Sequence, residues 1–503
     1  MRPISDSRVS LILIAASFLI ASCASAPDPV EPVVADESTF LGLAVAEAGE
    51  LEDPIERASL YGRIAEGYRE LGDEPSLQSL AGTALRLTRS VGATEQSIRV
   101  RLDLAPLLAS VGDDTAALEA LESALAFVSE EPAGRVRASL LPEVVDSALR
   151  SDEAARPILR RAVDEVYVIE QPDLRAQALI RIAELYQAGD ATLPVTGLIQ
   201  QSIPAVRSVD DPYRRAALFA RLAVLAAQTN EVALADRLAG NAKAQIDAAG
   251  APGDDADVDL LLLVVARLAE FGALEDAIEL VDLFTRSADT ARALVSVAAS
   301  APSPSARRRY LTRAGELAAD VDDPGRFIGA QIAVGTALVD AGNPASALPY
   351  AERALASLVG APSVYEGVEP AGRLAELFVR LDRLQAARSL LLQAPDAYVR
   401  GGVAVRAAEQ LIADGRLGFA DDFLTVALVA SDEARYLADG LRQEIVRGFA
   451  RTGSIRLAIR TVERMDDELL RARAVAELAV LAEPAGLVTP IYRADLASVL
   501  AGR

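Results

Sequence analysis

The feature that most constrains this chain is that it rewrites one short passage from end to end. An acidic residue followed by Pro occurs at Asp53-Pro54, Glu131-Pro132, Asp211-Pro212 and Asp323-Pro324, at intervals of 78, 80 and 112 residues. These intervals are two, two and three units of roughly 37 to 40 residues, the period of stacked helical pairs. A side-chain carboxylate can accept from the free N–H groups of a helix start, and Pro suits the first helical position. Each acid–Pro pair therefore predicts a helix start. Arg57, Arg135, Arg215 and Arg326 follow three or four residues later, and that spacing puts them within reach of the capping acid.

A second marker lies mid-unit. Gly112, Ala117 and Ala124 are spaced five and seven apart, and the spacing recurs as Gly342/Ala347/Ala354 and Gly415/Ala420/Ala427. Asn230/Ala235/Ala242 and Asp382/Ala387/Ala394 repeat it with other turn residues. Gly, Asn and Asp best tolerate the left-handed conformation that ends a helix. The two Ala fall on one face of the following helix, where a small side chain admits a close neighbour. Apolar residues at three- and four-residue steps in 57–72, 175–189 and 214–228 agree. No stretch alternates with period two. The expectation is an all-α chain, an α-solenoid of about twelve helix-turn-helix units over residues 37–503, most of them 38 to 42 residues long.

With these residues in view, the chain resembles the tetratricopeptide-repeat family. Residues 332–357 match it best, with Gly335, Gly342, Ala347 and Ala354 in the family's places. The first unit matches through Tyr61, Ile64, Ala65, Tyr68, Gly72 and Ala84, but puts Leu77 where Ala is expected. Trp is absent throughout and the units run long for the family, so "tetratricopeptide-like" is the fitting term. The resemblance implies that the first helix of each pair lines a concave groove. Arg63, Arg101, Arg137, Arg181 and Arg221 stand on those helices and become candidates for holding a partner's carboxylates. The competing reading is Arg paired with neighbouring acids, in a chain with 49 Arg and a single Lys, Lys243.

The first residues read as an address. Arg2 and Arg8 precede an apolar run, Val9 to Ile20, too short for an ordinary membrane span. It ends Ile20-Ala21-Ser22-Cys23, which resembles the lipobox of bacterial lipoproteins. The resemblance implies a signal peptide over 1–22 and lipidation of Cys23, the only Cys in the chain. Residues 23–36, Pro-rich and acidic, read as a tether. Ala24 directly after Cys23, where Asp favours inner-membrane retention in many bacteria, points to the outer membrane. Cleavage leaves 48 basic and 72 acidic residues, a mature charge of about -24.

Composition closes off much chemistry. With no His and one Cys, zinc sites, Cys-His or Ser-His-Asp catalysis, haem and iron–sulfur clusters are unsupported. No cofactor and no metal site is expected. A net charge of -23 argues against nucleic acid as a partner. Asp255, Asp257 and Asp259 alternate like the opening of a calcium loop, but Leu260 and Ala266 occupy the positions an EF-hand gives to Gly and Glu. An acidic loop capping the next helix explains them.

The leading expectation is a non-enzymatic scaffold or adaptor, lipid-anchored in the envelope, that binds other envelope proteins. The alternative is a periplasmic carbohydrate-active enzyme with a helical superstructure and a carboxylate pair.

Overall fold

A computed structural model describes residues 36–502 except 152, 190–194, 361–367, 395 and 435–436. The expected signal peptide, Cys23 and all but the last residue of the tether lie outside the described residues. Those described form 25 α-helices and no strand.

Twelve helices form one tier: α2 (Pro54–Leu71), α4 (Glu95–Ser110), α6 (Arg135–Arg150), α8 (Pro172–Ala188), α10 (Pro212–Gln228), α12 (Asp255–Phe271), α14 (Ser287–Ala299), α16 (Pro324–Asp340), α18 (Val368–Arg380), α20 (Ala397–Ala413), α22 (Ala438–Thr452) and α24 (Glu468–Ala482). Between them run α3 (Glu74–Val91), α5 (Asp114–Glu130), α7 (Arg156–Val166), α9 (Val195–Arg207), α11 (Val232–Ala249), α13 (Leu274–Val281), α15 (Pro304–Ala319), α17 (Pro344–Gly360), α19 (Leu384–Gln393), α21 (Leu417–Glu433) and α23 (Ile455–Glu463). The chain begins with α1 (Phe40–Gly49) and ends with α25 (Pro490–Ala501).

Each helix of the first tier packs on its predecessor and successor in that tier, while helices of the second tier barely touch one another. The first tier is therefore the inner one. The array also closes. α24 packs against α2 much as α22 packs against α24, although nearly the whole chain separates them. The sequence markers gave about twelve units; the structure arranges twelve inner helices in a ring. Twelve helices about 9 Å apart give an axis-to-axis diameter of about 34 Å. Subtracting one helix width of about 10 Å leaves a lumen of about 24 Å.

The closure is made by exchange. α1 packs against α24 and α2, in the place where the outer helix of the twelfth unit belongs. That unit thus has its inner helix from one end of the chain and its outer helix from the other. α25 packs outside, against α23 and α1. Phe40, Leu41, Ala44 and Ala48 of α1 are fully buried. Gly67 on α2 marks the tightest point of the closure. A β-carbon there would come within 2.7 Å of Leu41 and 3.3 Å of Val480. Polar contacts run across the same seam. The Leu41 N–H donates to Glu483 (2.7 Å), Arg471 pairs with Glu47 (2.6 Å) and Arg473 with Glu56 (2.7 Å), and Arg493 donates to the Ser38 carbonyl.

The turn markers behave as the spacing predicts. Gly72, Gly112, Asn230, Gly342, Asp382 and Gly415 all have positive φ, and Ala117, Ala124, Ala235, Ala242, Ala347, Ala354, Ala387, Ala420 and Ala427 are buried. Ala394 instead ends α19, as the residue before Pro395. Asp53, Asp211 and Asp323 cap α2, α10 and α16 through their side chains.

Three expectations need correction. Glu131-Pro132 does not start a helix: Glu131 ends α5, and α6 begins at Arg135 after Gly134. The guanidinium groups of the following Arg do not bond the capping acid. Arg57 reaches the Leu51 carbonyl (3.0 Å), Arg215 the Val209 carbonyl (2.6 Å), and Arg326 the Asp255 carboxylate (3.0 Å). The Arg thus ties down the incoming linker or, for Arg326, an acid on the inner helix two units back. Unit length also varies more than expected. Successive inner helices start 29 residues apart at Val368 and Ala397, but 44 apart at Pro324 and Val368. The short units are those whose outer helices α13, α19 and α23 have only 8, 10 and 9 residues.

Candidate functional site: the inner wall

The five candidate Arg separate by their place along the inner helix. Arg63, Arg181 and Arg221 are each the tenth residue of α2, α8 and α10. Arg63 pairs with Glu66 one turn on, and Arg181 does the same with Glu184 (3.4 Å). Arg221 crosses to the same Glu184 at 2.7 Å. Arg181 and Arg221 line one groove of the wall.

Arg101 and Arg137 stand nearer the start of α4 and α6, and both are buried, at 7% and 4% exposure. Arg101 donates to the Thr88 hydroxyl (3.1 Å) and to the Thr88 and Gly92 carbonyls (2.9 and 3.3 Å). Arg137 donates to the Ser129 and Glu131 carbonyls (2.5 and 2.7 Å) and pairs with Glu165 (3.3 Å). These two clamp the end of one outer helix to the next inner helix, and their donors do not face a partner.

Charge on the wall is largely neutralised from helix to helix. Arg99 pairs with Glu143 (3.1 Å), Arg214 with Asp173 (3.0 Å), Arg406 with Glu376 (3.0 Å) and Arg447 with Glu477 (2.7 Å), each across one inner junction. Such pairs add little stability individually, but they fix the facing of long side chains. The acids of the calcium-like stretch serve the same fabric. Asp254 caps α12, and Asp255 pairs with Arg326 and Arg286. Among the described residues no cluster of three or more metal-ligating side chains occurs.

Several carboxylates on the inner helices escape this neutralisation, and two of them are also desolvated. Asp103 on α4 and Glu444 on α22 make no ion pair among the described residues. Desolvation within the ring pushes the Asp103 carboxyl above its usual range, and Glu66, Glu143 and Asp146 add to the rise against Arg150. Desolvation also raises Glu444, helped by Glu409 and opposed by Arg447 and Arg406. Sequence reasoning had singled out neither, because nothing local distinguishes them from the other acids.

Described residues line several concavities of the wall. One, about 840 Å³, crosses α6, α8, α10 and α12. Its apolar floor includes Leu174, Leu218, Leu260 and Leu263, and Arg135, Arg181, Arg214 and Arg221 stand around it. Arg135 makes no ion pair among the described residues. A second, about 550 Å³, crosses α14 to α20 and holds Arg307, Arg373 and Arg380. A third, about 280 Å³, contains Asp103, Glu143, Asp146, Arg150 and Arg181. Among the described residues no helix is long and apolar enough to cross a membrane.

No protein-family model matches the chain, and no curated protein does. Among solved structures, it is similar to Ton1535 from Thermococcus onnurineus NA1, at 15% identity and a TM-score of 0.29, over 64% of this chain and 96% of that one. It is also similar to a circular tandem repeat protein with novel repeat topology, at 16% identity and TM-score 0.19, over 93% and 97%. The human IFIT1 dimer with PPP-AAAA overlaps at 13% identity and TM-score 0.23, over 85% and 96%. These overlaps are loose; the helical-repeat fold rests on the packing described above.

Proposed function

We propose that the chain is a ring-shaped protein-binding scaffold of the cell envelope, anchored through a lipidated Cys23. The observation that carries the binding half is the 840 Å³ groove, where four Arg and the two acids Glu143 and Asp173 line an apolar floor, and Arg135 has no ion pair among the described residues. A partner segment bearing both acidic and aliphatic side chains complements that floor and rim. Of the five Arg first considered, Arg181 and Arg221 belong to this surface and Arg63 stands on the same tier of helices. Supporting the anchor are the lipobox-like Ile20 to Cys23 and the place of Asp36. That residue accepts hydrogen bonds from Ser38 and Thr39 just before α1, whose Leu41 meets Glu483 at the end of α24, so Asp36 stands at the rim where inner helices end. Thirteen residues from Cys23 to Asp36 reach at most about 45 Å, which holds that rim toward the membrane, in our reading the outer one.

Both halves are testable. Cys23→Ala should abolish acyl labelling and leave the protein unprocessed or mislocalised. Pull-down from detergent-solubilised envelopes should recover partners with the wild type and lose them with Arg181→Glu/Arg214→Glu, helicity being unchanged. Equal recovery by that variant would move binding off the groove.

One observation favours a second reading, a carbohydrate-active enzyme using wall carboxylates. Asp103, with its raised pKa beside Glu143 and Asp146 in the 280 Å³ cleft, has the character of a proton donor. Release of soluble fragments from purified cell-wall glycan, lost in Asp103→Asn, would establish it.

A further inference from the structure

We infer that the seam between α24 and α2 is a latch: the ring opens there, and α1 is the element that holds it shut. Eleven inner junctions are crossed by the chain itself, since a covalent linker carries each outer helix into the next inner helix. The twelfth lacks half of this connection: α1 continues into α2, but no linker joins α24 to α1. There the outer helix comes from the opposite end of the chain, so the junction depends on side-chain contacts alone.

The contacts have the form of a fastening. α1 is 10 residues long and lies between α24 and α2, its apolar face fully covered. Four charged side chains from the C-terminal end reach N-terminal elements: Glu483 to the Leu41 N–H, Arg471 to Glu47, Arg473 to Glu56 and Arg493 to Ser38. Separation of α24 from α1 and α2 breaks this one set and leaves the eleven other junctions packed. A ring opened in this way remains a folded array, because each unit touches mainly its neighbours.

The consequence concerns access. The inner helices are mostly 15 to 18 residues long, so the lumen is about 25 Å deep. A polypeptide that continues beyond both faces can reach the inner wall only by threading an end or by passing through an opened seam. The latch supplies the second route. It does not depend on the proposed partner surface, because opening can be measured on the protein alone.

The test uses pairs of spin labels in a Cys23→Ser background. One pair, Glu70→Cys with Ala485→Cys, spans the seam near one rim. The other, Gln228→Cys with Glu270→Cys, spans the continuous junction between α10 and α12 at the same level. Distances are read by pulsed electron resonance in the wild-type frame and with Glu47→Ala, which removes the partner of the largely covered Arg471. The seam pair is expected to show a second, longer distance whose population rises at least about tenfold with Glu47→Ala, while the control pair keeps one distance. Arg473→Ala, at a more exposed contact, provides the milder variant should Glu47→Ala lose helicity by circular dichroism. A single short distance at the seam in every folded variant would overturn the latch. So would equal broadening of both pairs.

Discussion

Leu41→Ala isolates the energetics of closure. Leu41 is fully buried in α1, and its Cδ2 is the atom nearest to where a Gly67 side chain would stand. Removing a fully buried Leu side chain costs about 2 to 5 kcal/mol, as lost transfer energy plus the cavity left behind. Taking about 3 kcal/mol, the whole loss falls on docking of α1, because no repeat unit beyond the seam touches this residue. Each 1.4 kcal/mol is about tenfold in population, so the undocked state should become about 100-fold more populated. Amide hydrogen exchange resolved by peptide is the suitable assay, since local opening appears as accelerated exchange confined to the opening segment. Amides of α1 should exchange about 100-fold faster, while those of α10 and α11, on a distant arc, stay within about twofold. If α10 and α1 accelerate together, the ring melts as one cooperative body and the neighbour-only account of its stability fails. If neither changes, α1 is not held by the packing described here.

Other predictions follow from single contacts. Ala354→Arg, at a fully buried position of α17, should cost several kcal/mol through overpacking and an unpaired buried charge, read as a lowered midpoint of thermal unfolding. Arg101→Met should cost about 1 to 3 kcal/mol by stranding the Thr88 carbonyl, whereas Arg181→Ala, at an exposed pair, should change stability by less than about 0.5 kcal/mol. Glu444→Gln tests the wall's electrostatics. A carboxyl whose pKa is raised on folding contributes stability that is present below its unfolded value and lost as pH rises through its folded value. The variant should therefore unfold at a higher temperature than wild type at pH 7 and show no such gain at pH 4; a gain at both would assign the effect to packing. Fragments ending at Asp210 and beginning at Asp211 should each remain helical, and mixing them should restore one ring-sized species by light scattering, joined at α8–α10 and at the seam.

The residues that announced the fold are those whose job is local. A left-handed turn needs Gly, Asn or Asp whatever surrounds it, so the positive φ at Gly112, Asn230 and Asp382 was legible from spacing alone. Glu131-Pro132 misled because the same dipeptide can close one helix as well as open the next, and Gly134 took the cap. Ring closure was not legible from the repeat. It depends on the small rotation between successive units, set by close approaches such as Gly335 against Leu377 and Gly401 against Leu441. One trace of it was present. Phe40 to Val45 is almost continuously apolar, and a helix without a polar face must be covered on all sides; an outer helix of an open array would not be. The candidate wall was legible only in part, because Arg101 and Arg181 share a residue type and a tier and differ in their position along the helix. Asp103 and Glu444 were invisible, since the rise in their pKa comes from a ring wall assembled by distant residues.

The exchanged helix also imposes an order on synthesis. α1 is the earliest made of the described helices, and α24, half of its binding site, is nearly the last. Through almost the whole of translation the units between them can fold in turn, each on the one before. Over that interval the nascent chain carries Phe40, Leu41, Leu43 and Val45 with only α2 to cover them. A segment of this kind invites holding factors, and it invites pairing with another unfinished copy. Termination in the later units, before Glu468, yields chains that are folded along most of their length yet permanently sticky at both ends. Such products are set apart from the finished protein by the uncovered ends of the open array, α1 among them, and a quality-control system that reads exposed apolar surface would recognise them by these.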